Sequence, residues 1–198
     1  MCLLLQKQDL KTLLEIILEI RKSTASEKTD IKYLHKKAFG EKEGSDVAKL
    51  AFDLLDDQSA FPLLSLVAVE NDKIIGHVLF TKATLTGSDT TVNIHLLAPL
   101  GVLPEIQNKG IGQLLMKEGL KQLKEMGVEL VFVLGHPDYY PKAGFTPAGA
   151  LGFEAPYPIP EKDAGAWMVQ ELCEGVIGSV KGKVKCSDIL DRPEHWQE

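Results

Sequence analysis

The chain has 198 residues, of which 44% are hydrophobic and 25% are charged, as in an ordinary globular domain. Its formal net charge of -6 argues against a protein whose main task is to grip nucleic acid, because such proteins carry basic surfaces. The three cysteines form no CxxC pair, so we expect neither a disulfide framework nor a metal site.

The chain carries no signal for a membrane. Residues 2–5 are apolar, but polar residues follow at once, unlike the longer apolar core of a signal peptide. No later run reaches the roughly 18 apolar residues that suggest a membrane span. We therefore expect a cytoplasmic protein without a membrane partner.

The first part of the chain reads as helical. Residues 1–16 are an N-terminal extension, either a short amphipathic helix or a poorly ordered leader, and precede a single domain over residues 17–198. A short strand is expected at 18–21. One helix then ends at Phe39-Gly40, and a second is predicted over 45–55 from its apolar spacing.

Strands dominate the middle of the chain. Residues 64–69 and 74–83 read as a hairpin around a polar turn. A strand at 92–102, a helix at 111–126 and a strand at 128–134 form a βαβ pattern, so these two strands should be parallel. Later strands are expected at 167–172 and, as an edge strand, at 179–185.

The segment between strand 92–102 and the next helix predicts a phosphate site. Gly110 and Gly112 let a ligand approach the backbone, and the first amides of a helix attract anions. Lys109 adds a positive charge. A P-loop would need GxxxxGK followed by Ser or Thr, and a dinucleotide fingerprint would need glycine where Leu115 stands. A bare Gly-x-Gly also fits a helix start with incidental glycines. The longer pattern around it therefore decides between that interpretation and a phosphate site.

The longer pattern comprises Leu100-Gly101-Val102-Leu103-Pro104, then Gln107, Gly110 and Gly112. It resembles the acyl-CoA-binding motif of the GNAT superfamily of N-acetyltransferases. Tyr140-Pro141-Lys142-Ala143-Gly144-Phe145 has the spacing of a second GNAT segment. Together the two segments are similar to the YhbS-like branch, over roughly residues 18 to 185. His136 and Lys142 depart from the more usual Asp and Arg of that branch.

The resemblance implies a single-domain α/β fold, with a mixed, mostly antiparallel sheet, a splayed parallel strand pair and flanking helices. It also implies acetyl-CoA as cofactor, with coenzyme A as product. The cofactor-binding residues that it indicates are Leu100, Gly101, Val102, Gln107, Asn108, Lys109, Gly110, Ile111, Gly112 and Gln113.

The implied reaction is direct attack by a primary amine of a small molecule or a protein, in a ternary complex. The amides of Leu100 and Val102 would lie on an open strand edge and hold the thioester arm. Tyr140 would be the general acid, because a phenol is protonated at neutral pH and can donate to a thiolate. Tyr139 is the fallback and is expected to pack.

Other parts of the function stay open at the level of sequence. His95, His136 and the carboxylates Glu41 and Glu43, expected in a loop between the first two helices, are candidates for the base, as is ordered water. The sequence determines neither the acceptor nor the oligomeric state, for which a homodimer is the candidate. Transfer of a longer acyl group and a non-catalytic acyl-CoA sensor are alternatives, whereas the loop length disfavours a Rossmann-type oxidoreductase.

Overall fold

The computed structural model describes residues 18–88 and 90–196. Its nine strands belong to one mixed sheet, in which β1, β2, β3, β4, β5, β8 and β6 are neighbours in that order, and β9 joins β3 to β7. The strands are β1 (Glu19–Lys22), β2 (Leu64–Glu70), β3 (Lys73–Thr86), β4 (Ile94–Val102), β5 (Leu130–Leu134), β6 (Thr146–Pro147), β7 (Phe153–Glu154), β8 (Trp167–Glu171) and β9 (Gly182–Lys185).

Three α-helices flank the sheet within these residues: α1 (Lys28–Ala38), α2 (Gly40–Leu54) and α3 (Ile111–Glu125). Because side chains alternate along each strand, neighbouring strand residues show on which face of the sheet each helix packs. Gly101 of β4 faces His35 of α1, whereas Gly76 of β3 faces Leu115 of α3. Gly101 pairs with His77, the neighbour of Gly76, so α1 and α3 pack on opposite faces of the sheet.

Apolar side chains fill the space on both faces. On the α3 face, Phe80 of β3 packs against Gly119, where a Cβ atom would collide with the phenyl ring. On the other face, Phe132 of β5 stacks on Trp167 with ring centroids 5.2 Å apart. All four of these residues are buried, so the sheet is the middle layer of the domain.

The predicted fold class is confirmed, and so are the hairpin and the parallel pair. β2 and β3 pair antiparallel around a turn at Asn71-Asp72, and β4 and β5 run parallel on either side of α3. The predicted extension over residues 1–16 lies outside the described residues. Among the described helices, none is long and apolar enough to cross a membrane.

Two local predictions are wrong. The second helix begins at Gly40 instead of Ser45, because Gly40 has a φ of +69°, which ends α1 and lets α2 begin at once. Glu41 and Glu43 therefore lie in the first turn of α2 and not in a loop. The strand predicted as an edge is β9, which lies between β3 and β7 and starts at Gly182.

Candidate functional site

β4 and β5 part from each other halfway along β4. Their parallel ladder runs from Ile94 opposite Leu130 to Leu97 opposite Val133, while β4 continues to Val102. Pro99 lies just beyond the last pair and has no N–H to offer a neighbouring strand. β4 also has one extra residue there, since Phe80 pairs with Leu97 but Val78 pairs with Leu100. The far half of β4 is thus bonded to β3 alone.

The edge of β4 that faces β5 carries free amides. The N–H of Leu103 donates to the carbonyl of Ile75 in β3 at 3.0 Å. Because successive amides of an extended strand point to opposite edges, those of Leu100 and Val102 point away from β3. In the described part of the chain neither amide has a backbone partner. An extended ligand can therefore pair with β4 as an added strand would.

The loop before α3 presents a second set of free donors. Within residues 18–88 and 90–196, no group accepts a hydrogen bond from the amides of residues 108–113. Gly110 is the N-cap of α3 and has a φ of +85°, which turns the chain into the helix. A Cβ atom there would meet nothing within 4 Å, so the space beside the loop is open. This is the geometry of an anion site at a helix start.

Gln107 holds the loop in place through its side chain. Its own amide donates to the carbonyl of Pro104 at 3.4 Å, so it does not belong to the free set. The side-chain Nε2 donates to the carbonyl of Val102 at 3.0 Å and to that of Ala38 at 3.3 Å. Gln107 thus fastens the loop to the end of β4 and to the end of α1.

Gly112 is the point at which the loop, β4 and a tyrosine meet. A Cβ atom at Gly112 would collide with the hydroxyl of Tyr139 and would lie 3.7 Å from Val102. The Nε2 of Gln113 also donates to the carbonyl of Tyr139, at 3.3 Å. Tyr139, which we expected to pack and named as the fallback acid, therefore places its hydroxyl beside the phosphate loop.

Tyr140 lies at the end of β5. Its ring covers Gly135, where a Cβ atom would collide with it, and meets Phe145 edge-on at 5.7 Å between centroids. Burial raises the pKa of the Tyr140 phenol above its ordinary value, and Tyr139 adds to the effect. The phenol is therefore protonated at neutral pH, as a proton donor must be.

The predicted candidates for the base differ in burial and in whether they line a cavity. His95 is buried and its Nε2 lies 2.9 Å from the carbonyl of Pro62, which makes it a packed residue of β4. Burial lowers its pKa. His136 is exposed in the turn after β5. Of the two carboxylates, Glu43 lines a cavity at the parted strands, whereas Glu41 does not.

That cavity has a volume of about 380 Å³. It lies beside the place where the β4–β5 ladder stops, because Ala98 and Leu134 both line it. The other lining residues come from α2, β4 and the last part of the described chain: Glu43, Asp46, Val47, Leu50, Leu96, Leu97, Leu190, Glu194, His195 and Trp196. A small molecule in this cavity would therefore lie next to one end of an extended ligand that is bound along the open edge of β4.

Comparison with known proteins identifies the family. Residues 19–148 match the acetyltransferase (GNAT) domain. The chain belongs to the GNAT acetyltransferase family. It is 44% identical to the uncharacterized N-acetyltransferase YjhQ of Escherichia coli (strain K12), over 82% of this chain and 88% of that protein. It is 31% identical to YhbS of the same organism, over 76% and 86%.

A solved structure of this GNAT family supports the fold. YhbS from Escherichia coli, crystallised in complex with CoA, has a TM-score of 0.79 to this chain at 27% identity, covering 90% of this chain and 94% of that one. A GNAT acetyltransferase from Brucella melitensis, in complex with acetyl-CoA, has the same fold, with a TM-score of 0.70 at 23% identity.

Sequence reasoning missed the C-terminal wall of the cavity. His195 is partly buried in it, and Trp196 is buried beneath, with its Nε1 donating to the carbonyl of Leu190 at 2.9 Å. These residues lie outside the matched GNAT domain, and no short motif marks them. The tryptophan at position 196, a residue type that is highly buried on average, is the sequence feature that could have indicated packing of this segment against the domain.

Proposed function

We propose that this GNAT protein transfers an acetyl group from acetyl-CoA to a primary amine by direct attack in a ternary complex. One observation carries the proposal: the free amides of residues 108–113, the open edge of β4 and the cavity at Ala98 and Leu134 lie in sequence along one path. That path suits a long ligand with an anionic group at one end and a reactive group at the other.

The donors present fit acetyl-CoA. The amides of residues 108–113 and the start of α3 would take the pyrophosphate, with Lys109 adding positive charge. Gly110 leaves open space beside these amides, since a Cβ atom there would meet nothing within 4 Å. The amides of Leu100 and Val102 would pair with the pantetheine arm and the thioester carbonyl. When bound, acetyl-CoA supplies the activated acetyl group, and the CoA complex of YhbS supports this use of the fold.

Tyr140 would act as the general acid. Its raised pKa keeps the proton on the phenol at neutral pH, and its ring covers Gly135, the residue that follows β5. Tyr140 gives this proton to the sulfur as the carbon–sulfur bond breaks, so that the leaving group departs as a thiol.

His195 would act as the base. Its imidazole is the only one among the described residues that line the cavity. Burial lowers its pKa, which leaves the ring neutral and able to accept a proton at pH 7. His195 takes one proton from the amine nitrogen as the carbon–nitrogen bond forms. The products are then the amide and the free thiol of coenzyme A. The enzyme returns to its starting state when the proton on the imidazole of His195 passes through water to the tyrosinate of Tyr140.

The test is turnover of acetyl-CoA with a panel of amines, measured as release of free thiol. We expect amine-dependent release, and a loss of about tenfold to a hundredfold in kcat for His195→Gln. Binding of acetyl-CoA without turnover of any amine, amino acid or peptide would indicate a sensor module instead. Faster turnover of a longer acyl-CoA would indicate the longer-chain acyltransferase.

A further inference from the structure

The cavity beside the parted strands has an apolar floor and an acidic rim. Buried or partly buried apolar side chains form its inner part: Leu50, Leu96, Leu97, Leu134 and Trp196. Ala98 and Leu134 bring this floor to the end of the β4–β5 ladder. A reacting amine must reach that end of the cavity, because the ladder stops there and the open edge of β4 begins.

The rim is made of carboxylates from two distant parts of the chain. Glu43 and Asp46 come from the first two turns of α2, and Glu194 comes from the C-terminal segment. All three are exposed, and none makes a salt bridge within the described residues. Among the residues that the structure describes, no lysine or arginine lines the cavity. Burial lowers the pKa of His195, and Arg192 adds to this effect, while the carboxylates Glu194 and Asp46 oppose it.

An apolar floor and an acidic rim suit two different nitrogens of one amine acceptor. The attacking nitrogen must be neutral when the new bond forms, so it gains little from a carboxylate at that moment. A second, permanently protonated amino group would stay paired with the rim throughout. Carboxylates on two sides of the mouth and an apolar floor therefore fit a molecule with one nitrogen inside and a cationic group at the rim.

We propose that the acceptor is a small aliphatic amine that carries at least one further positive charge, such as a diamine or polyamine. The inference rests on the proposed acetyl transfer and adds the substrate class. The cavity volume of about 380 Å³ holds a small molecule, and its apolar lining matches a methylene chain. The three rim carboxylates Glu43, Asp46 and Glu194 set the preference.

The experiment compares three acceptors of equal chain length: 1,6-diaminohexane, hexylamine and 6-aminohexanoate. We expect kcat/KM for the diamine to exceed that for hexylamine by about tenfold, and 6-aminohexanoate to be the poorest, since like charges repel. Raising the salt concentration should narrow the difference, because exposed charges are screened. Each of Glu43→Gln, Asp46→Asn and Glu194→Gln should lower kcat/KM for the diamine by about threefold to tenfold more than it lowers kcat/KM for hexylamine.

Glu41→Gln is the matched control, since Glu41 lies in the same first turn of α2 as Glu43 but does not line the cavity. It removes the same charge and should leave the ranking of the three acceptors unchanged. Equal kcat/KM for the three acceptors, or an equal loss for diamine and hexylamine in the rim variants, would overturn the inference and leave acetyl transfer standing. Failure of every amine to turn over would instead overturn the proposed function itself.

Discussion

Tyr139 and Tyr140 are neighbours in the chain, yet they occupy different places. Tyr140 covers Gly135 at the end of β5, and Tyr139 brings its hydroxyl to Gly112 at the start of α3. The rings meet edge-on, with centroids 5.2 Å apart. Burial raises the pKa of both phenols, so both carry their protons at neutral pH. The pKa values therefore do not show which tyrosine is the general acid, and the two residues must be compared by the kinetics of their Phe variants.

We predict that Tyr140→Phe lowers kcat by about tenfold to a hundredfold, because a general acid typically contributes at least that much to the rate. Acetyl-CoA affinity should barely change, and Tyr139→Phe should have the smaller effect on kcat. Thiol-release kinetics and calorimetric titration with acetyl-CoA measure the two quantities. Full activity in Tyr140→Phe would remove this residue from the mechanism. A lowered Tm would show instead that the hydroxyl serves the core.

At the scale of elements, α3 begins and ends at glycines with left-handed backbone. Gly110 has a φ of +85° and Gly127 a φ of +77°, and a Cβ atom at either would meet nothing within 4 Å. Replacing either glycine strains the backbone in the same way, at about 1–3 kcal/mol. The two positions differ only in what surrounds them, since the free amides lie at the Gly110 end.

We predict that Gly110→Val abolishes acetyl-CoA binding while the domain stays folded, because relief of the strain turns the amides of the loop away from the ligand. Gly112→Val should do the same, since its side chain would displace the hydroxyl of Tyr139. Gly127→Val is the control and should lose similar stability without losing binding. Titration calorimetry and thermal melts report the two effects. Unchanged acetyl-CoA affinity in folded Gly112→Val would contradict the assignment of the loop.

At the scale of the whole molecule, the C-terminal segment packs into the core beside the sheet. Trp196 meets Trp167 of β8 edge-on at 5.8 Å between centroids, in the same core cluster as Leu54 of α2. Its neighbours Leu190 and His195 line the cavity. The segment therefore ties the wall of the cavity to the sheet, although the match to the GNAT domain ends at residue 148.

We predict that Trp196→Ala lowers the free energy of unfolding by about 3–5 kcal/mol, as expected when a buried aromatic side chain is truncated. It should raise KM for the amine and leave the dissociation constant of acetyl-CoA unchanged, because the phosphate loop lies at the other end of the path. Trp196→Phe keeps most of the packing and loses one hydrogen bond, so its loss should be nearer 1 kcal/mol. Denaturant melts and steady-state kinetics check both variants. An amine KM unchanged in folded Trp196→Ala would argue against the cavity as the acceptor site.

The sequence alone determined the features that depend on neighbouring residues. Alternation and turn residues predict the β2–β3 hairpin, and helical spacing between two apolar runs predicts the parallel β4–β5 pair. The glycines and free amides at the start of α3 could be recognised because a helix terminus and its ligand site lie within a few residues of each other.

Only the tertiary structure decided what depends on residues far apart in the chain. The acidic rim joins α2 to a segment some 150 residues later, and no local pattern links Glu43 to Glu194 or His195. β9 lies between β3 and β7 for the same reason, since its partners are set by the path of the chain and not by its own alternation. Periodicity reports which residues share a face, whereas long-range packing decides which faces and segments meet.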